Sequence, residues 1–236
     1  MQLLKLLFKR ETFVPVAALT FASAICVALV VARIAWTGNL RYSFLVWNLF
    51  LAWLPLMFAL LAREHYRDGK RPGWRFCTLS AAWLLFFPNA PYICTDVIHL
   101  TNRYFNHFWV DLAVVLSCAF TGLVLGFVSL YLMQSVVTRM LGRVAGWAFV
   151  ATAAGLCSFG IFLGRFLRFN SWDVIAKPAK LYQGISAVAT GEHAHQGHFA
   201  FLVIFATFIF IAYVMLYALT HLPRNLHLPA ETEPAT

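Results

Sequence analysis

The sequence predicts an all-α, polytopic transmembrane helical bundle of about six spans, the third of them broken at Pro88 and Pro91. Three observations predict it. The 236-residue chain is 61% hydrophobic and 11% charged, too apolar for a soluble domain of this length. Apolar stretches of the roughly 20 residues needed to cross a hydrocarbon core of about 30 Å recur along it. Basic residues gather in alternate connections between those stretches.

The spans read Phe13–Trp36, Tyr42–Ala62, Phe76–Leu100, Phe108–Gln134, Trp147–Phe166 and Phe199–Leu219, bounded by charges, Gly/Pro clusters or interfacial aromatics. The first follows a short basic start (Lys5, Lys9, Arg10), but its apolar run is longer than a signal peptide's and ends at Arg33, so it reads as an uncleaved span. Residues 1–222 then form one transmembrane domain, and 223–236 a cytoplasmic tail. The loop "REHYRDGKRPGWR" carries Arg63, Arg67, Lys70, Arg71 and Arg75; Arg139, Arg143 and Arg224 fall on the same side of a six-span topology. Both termini are therefore predicted to be cytoplasmic. The net charge of +9 is explained by this topology and by contact with anionic headgroups, and it calls for no nucleic-acid partner. Cys26, Cys118 and Cys157 lie within spans, Cys77 near one edge and Cys94 toward the outer surface, a pattern of packing residues rather than of disulfides or metal ligands.

The third span contains "FFPNAPYICTDVIHL". Each proline lacks an N–H and crowds the carbonyl four residues back, so the helix from Phe76 must bend or stop. At roughly 18 Å of rise the break lies inside the hydrocarbon layer, where freed backbone groups need protein or a polar cavity. Asn89 can answer some of them, and Asn48 on the second span is at a similar depth, which suggests an Asn48–Asn89 hydrogen bond. Beyond the break, Tyr92–Leu100 can restart as a half-helix with its N-terminus aimed at the membrane interior. Two readings stand: a proline kink with its polar repair, or a broken-helix binding site of the transporter kind.

Asp96 and His99, at i and i+3, share a helix face near the outer boundary, and Asp111 opens the fourth span at the same level. Facing these acids, "GRFLRFNSWD" sets Arg165 and Arg168 on one face of the outer turn of the fifth span, with Asn170 and Asp173 just beyond. Arg33, Arg41 and Arg103 join them, so five arginines face Asp96, Asp111 and Asp173. Pairing of Arg165 and Arg168 with Asp96 or Asp111 is one explanation. The surplus of planar, bidentate guanidinium groups also suits an anionic ligand, a lipid phosphate or a carboxylated substrate. The seams "GLVLG" (Gly122, Gly126) and "GIFLG" (Gly160, Gly164) permit close helix contact; if they face one another, Asp111 and Arg165 become neighbours.

The segment Phe169–His198 is long enough to cover this surface. Ser171 can cap a short helix that Pro178 interrupts, and Leu181, Ile185 and Val188 recur at the spacing of an interfacial amphipathic segment able to act as a lid. The alternation of His193, His195 and His198 could bind a transition metal, but three histidines in a loop with no defined partners around them are more often solvated. Neither a metal site nor a cofactor is predicted.

"FPNAPYICTDVIHL" and "GIFLGRFLRFNSWD" resemble the two signature stretches of a bacterial integral-membrane family known as domain of unknown function 1361. The resemblance runs from about Tyr42 to Asp173 and into the last helix, and it includes Pro88, Asn89, Ala90, Pro91, Tyr92, Thr95, Asp96, His99, Asp111, Gly164, Arg165, Arg168, Asn170, Ser171, Trp172 and Asp173. Cys94 and the His-rich tract lie outside its pattern. It implies a multi-pass protein of a bacterial inner membrane, with no activity to transfer.

Three functions are compatible with these residues. The first is binding, with a link to transport, of an anionic lipid or metabolite group by Asn48, Asn89, Tyr92, Arg165, Arg168, Asn170 and Asp173. The second is a membrane-embedded enzyme acting on a lipid or lipid-linked substrate, with His99 as general base and Asp96 or Asp111 orienting it. The third is an assembly factor with a membrane-protein partner, and a homo-oligomer is compatible with all three.

Overall fold

The structure is a computed structural model describing residues 10–66, 72–100, 107–189 and 196–221. Lys5, Lys9, Arg67, Lys70, Arg71, Arg103, His193, His195, Arg224 and the 223–236 tail lie outside the described residues. The described chain is helical throughout, and six of its helical stretches are long and apolar enough to cross a membrane: Phe13–Thr37, Leu40–His65, Trp74–His99, Phe108–Leu141, Arg143–Arg165 and Gly197–Thr220. The predicted number of spans and the break in the third are both present. We label the helices α1 (Arg10–Thr37), α2 (Phe44–His65), α3 (Trp74–Phe86), α4 (Asn89–Tyr92), α5 (Phe108–Leu141), α6 (Arg143–Arg165), α7 (Asp173–Ala176), α8 (Pro178–Ala189) and α9 (Gln196–Thr220). A 3₁₀ turn, Leu40–Tyr42, leads into α2, and a second 3₁₀ stretch, Ile93–His99, follows α4.

The fourth and fifth spans run further than their apolar stretches, to Leu141 and from Arg143, because arginine is a good helix former and the helices continue past the hydrocarbon. One residue joins them. Gly142 has φ +91°, a conformation that a side chain would strain, and with it the chain reverses without a loop.

Helix α5 is the hub. It packs against α1, α2, α6 and the broken third span, and 56% of its most apolar window is buried, against 17% for the first span and 11% for the last. Those two outer helices therefore present most of their apolar surface to lipid. Their few inward anchors are specific: Tyr213 of α9 donates a hydrogen bond to the Gln134 amide oxygen of α5, and Trp53 of α2 donates to Ser23 of α1 at 3.1 Å. Such polar contacts fix the register of helices that the hydrophobic effect alone cannot drive together inside lipid.

The third span bends without unwinding. Phe87 and Pro88 keep right-handed helical backbone angles, Phe87 N–H reaches the Trp83 carbonyl at 2.8 Å, and Tyr92 N–H reaches the Pro88 carbonyl at 3.0 Å. The predicted half-helix N-terminus is thus occupied by its own turn, and the segment beyond it tightens to 3₁₀ geometry. Below the break, Trp83 is fully buried, stacks on Phe87 and Phe149, and donates to Ser129 at 3.2 Å.

Both glycine seams grip this bend instead of each other. A Cβ on Gly122 would sit 2.9 Å from the Ala90 carbonyl oxygen, and one on Gly126 would sit 3.0 Å from the Ala90 methyl. On the other side, Gly160 faces the Pro88 ring and Gly164 the Tyr92 ring. Facing one another, the two seams would have brought α5 and α6 into close contact along their small residues. The proline bend fills that space because its crowded backbone needs close neighbours on two sides.

Candidate functional site

Six alternating spans bring the ends of α1, the third span and α6 to one end of the bundle, together with the starts of α2 and α5. Two separate ion-pair clusters form at this polar end. In the first, Asp96, 1% exposed, accepts from Arg165 Nη2 at 2.6 Å and from Asn48 Nδ2 at 2.8 Å. Arg165, whose side chain is 14% exposed, also donates to Thr95 Oγ1 from Nε at 3.0 Å, and its guanidinium lies 4.4 Å from the centre of the Tyr92 ring. Thr95 in turn donates to the Tyr92 carbonyl at 2.6 Å. In the 3₁₀ stretch side chains three apart eclipse, so Thr95 lies over Tyr92 and His99 over Asp96, and the Arg165 side chain of α6 reaches all four.

His99 sits at the edge of this cluster. Its Nε2 lies 3.3 Å from Arg165 Nη1 and 3.9 Å from Asp96 Oδ1. Arginine only donates, so Nε2 accepts and the ring proton resides on Nδ1 in this arrangement. Arg41 Nη2 donates to the His99 carbonyl at 2.9 Å, tying the first connection to the end of the third span.

Asp111 belongs to the second cluster. Arg33 of α1 holds it in a bidentate fork, Nε to Oδ1 at 2.5 Å and Nη2 to Oδ2 at 3.2 Å, and Tyr42 donates to Oδ2 at 3.1 Å. Arg33 Nη1 also donates to Thr37 Oγ1. The expected neighbourhood of Asp111 and Arg165 does not form, because α1 lies against α5 and supplies Asp111 with its own arginine. Nor does an Asn48–Asn89 bond form. Asn48 is drawn to the stronger charged acceptor Asp96, while Asn89 donates to the Phe86 carbonyl at 3.0 Å and to Ser171 Oγ at 2.9 Å.

Ser171 therefore clamps the proline bend and does not cap a helix; α7 starts after Trp172 without a side-chain cap. Pro178 opens α8 at its first position, where a missing N–H is harmless. Asp173 accepts from the Asn170 backbone N–H at 2.8 Å and pairs with Lys177 at 3.3 Å.

Arg168 stands apart from Arg165. It adopts the left-handed backbone conformation, φ +57°, which turns the chain so that Phe169 N–H bonds back to the Leu163 carbonyl at 3.1 Å. Its side chain is exposed and makes no hydrogen bond or ion pair with a described residue. It borders a cavity of about 330 Å³ between α2, the proline bend, α6 and the α7–α8 segment. The polar wall of this cavity is made by Asn48, Asn89, Tyr92, Asn170 and Ser171 together with Arg168. Its apolar wall includes Trp47, Leu51, Leu85, Leu163 and Leu181. The last of these projects from α8, so the predicted amphipathic cover does contribute to the site.

A family model described as Protein of unknown function (DUF1361) matches residues 47–213. The chain belongs to the DUF1361 family. The matched stretch of this DUF1361 protein contains the whole cavity wall, the Asp96–Arg165 cluster and Asp111, and it leaves out Arg33 and Tyr42. No curated protein and no solved structure matches the chain.

Of the residues singled out in the sequence, Asn48, Tyr92, Asp96, His99 and Arg165 come together in one cluster. Asn89, Arg168 and Asn170 line the cavity beside it, Asp173 organises the segment that covers it, and Asp111 lies in a separate pair. Thr95 is among the positions of the family resemblance and Tyr42 bounds a span; each proves to be a direct partner of a buried ionic group. No spacing rule points to either, because each acts on a residue from another helix. Among the described residues, no group of three or more His, Cys, Asp and Glu side chains is placed to hold a metal ion.

The Asn170 N–H, assisted by Lys177, holds the Asp173 carboxyl below its ordinary value of 3.8. A depressed carboxyl pKa contributes stability that is present above the unfolded value and lost as pH falls through the folded one. The fold of residues 170–177 is therefore expected to hold at neutral pH and loosen only below about pH 3.8. Hydrogen exchange of these amides on acid titration would show the step, and Asp173→Asn should abolish it. Protection factors, corrected for intrinsic exchange, that stay constant through this acid range in the wild type would sink the assignment.

Proposed function

We propose that this protein binds the anionic group of a lipid or metabolite in the cavity beside Arg168, at the extracytoplasmic side of a bacterial inner membrane, with both termini in the cytoplasm. The single observation that carries this reading is the contrast among the arginines. Arg33 and Arg165 are neutralised by Asp111 and Asp96. Arg168 is held at the cavity by a left-handed turn and is matched by no acidic partner among the described residues. A cation without a counter-ion, at the mouth of a concave site that is part polar and part apolar, suits phosphate or carboxylate on an amphiphile. Arg165 contributes by positioning Tyr92 and the Thr95–Asp96 turn.

A catalytic role for His99 draws less support from the geometry. Its Nε2 lone pair is engaged by Arg165, and His99 is not part of the cavity wall. The test is thermal unfolding in detergent with and without anionic lipids. Arg168→Ala should remove ligand-dependent stabilisation while leaving the unliganded stability within about 1 kcal/mol of wild type, as for an exposed charge. Stabilisation that persists in Arg168→Ala would refute the assignment.

A further inference from the structure

The cavity contains more than a cation. Asn48 spends its amide N–H on the Asp96 carboxylate, and Asn89 spends its own on the Phe86 carbonyl and Ser171. Those obligate acceptors fix which atom of each amide is nitrogen, so both Oδ1 atoms are left as acceptors without a protein donor among the described residues. Both amides belong to the cavity wall. Opposite in character are the Tyr92 hydroxyl, which has no hydrogen-bond partner among the described residues, and the Ser171 hydroxyl, which accepts from Asn89 and keeps its own proton to donate.

We infer that the ligand carries hydroxyl groups beside its anionic group: a polyol or sugar phosphate joined to a lipid chain. This rests on the anion-binding reading and narrows it. A hydroxyl both donates and accepts, and so satisfies amide oxygens and phenol alike. An ammonium group only donates, and a bare carboxylate only accepts. The lipid chain follows from depth. Leu51 lies seven residues beyond the start of α2 at Phe44, roughly 10 Å of rise along the second span, whereas Arg168 lies just past the end of α6. Trp47, also in the wall, is 55% exposed on the lipid-facing flank of α2, so the cavity adjoins the bilayer. One end of the site thus suits headgroup chemistry and the other an acyl or prenyl chain.

The test uses the full chain in phosphatidylcholine nanodiscs and compares phosphatidylglycerol with phosphatidylethanol, lipids of equal charge that differ in headgroup hydroxyls. Soluble glycerol phosphate is the third probe. Phosphatidylglycerol should bind about tenfold more tightly than phosphatidylethanol, since a site built to hydrogen-bond hydroxyls rejects an analogue that lacks them. Tyr92→Phe and Asn89→Ala should bring that ratio toward one, and Arg168→Ala should weaken both lipids while preserving it. If Asn89→Ala fails to fold, Tyr92→Phe carries the comparison alone, because its hydroxyl holds no protein partner. Equal binding of the two lipids, still lost in Arg168→Ala, overturns the hydroxyl inference and leaves the anion reading standing. Binding of both lipids that is indifferent to Arg168→Ala overturns the anion reading itself. Glycerol phosphate binding as tightly as phosphatidylglycerol overturns the lipid chain.

Discussion

Asp96→Ala is expected to destabilise the bundle by about 3–5 kcal/mol, because it leaves the Arg165 guanidinium largely buried without its counter-ion. Asn48 loses its acceptor in the same variant, so the α2 contact to the third span weakens as well. Removing both charges is a different experiment. Asp96→Leu combined with Arg165→Met strands neither ion, and most of the loss should be recovered, since an apolar pair of similar volume often matches a buried salt bridge. Equilibrium unfolding of the single and double variants in detergent measures both quantities. A cost below about 1 kcal/mol for Asp96→Ala would mean that the pair is open to water and acts as a surface bridge. The Arg33–Asp111 pair provides an internal comparison: with both side chains 9% exposed and Tyr42 adding a third bond, Asp111→Ala should fall in the same range.

Gly122→Ala and Gly160→Ala should each cost about 1–3 kcal/mol by overpacking. The added methyl of Gly122→Ala meets a backbone carbonyl oxygen at 2.9 Å, and that of Gly160→Ala meets the Pro88 ring at 2.5 Å; neither neighbour can rotate away as a flexible side chain would. Gly155→Ala on the same α6 helix is the control. Nothing lies within 4 Å of its added methyl, so the change should be neutral or stabilise by up to about 1 kcal/mol through helix propensity. Unfolding of the three variants side by side separates a clamp on the bend from a general effect of losing glycine. If Gly122→Ala and Gly160→Ala behave like Gly155→Ala, the proline bend is not held by the two seams. A functional consequence accompanies the structural one: the bend carries Asn89 and Tyr92 into the cavity, so pushing it aside should also weaken ligand retention.

The residues that could be read directly from the sequence are those whose behaviour depends on near neighbours. Pro88 and Pro91, only three residues apart, each remove an N–H and crowd the preceding turn, so a bend there was foreseeable; Asp96 and Arg165 are too costly to face lipid, so their membership of an interior polar layer was foreseeable too. Arg168 misled for a local reason as well. Three residues after Arg165 on a continuing helix it would share that face, but the helix ends first, and the turn uses a left-handed arginine where glycine or asparagine is the usual signal. Thr95 and Tyr42 gave no such signal, since a hydroxyl becomes a partner only through what another helix brings to it.

By itself, then, the sequence determined that six helices cross a bilayer, where the third one bends, and which ionisable groups must be sheltered, because run length, backbone chemistry and the cost of charge in hydrocarbon are local properties. The tertiary structure alone decided that Arg33 takes Asp111, that Arg165 takes Asp96, that two glycine seams close on the bend, and that Arg168 is left facing a cavity. The physical reason is that lipid tails and apolar side chains are equally good surroundings for a helix. Hydropathy therefore places each span in the membrane and is silent on its neighbours; shape and polar pairing choose them.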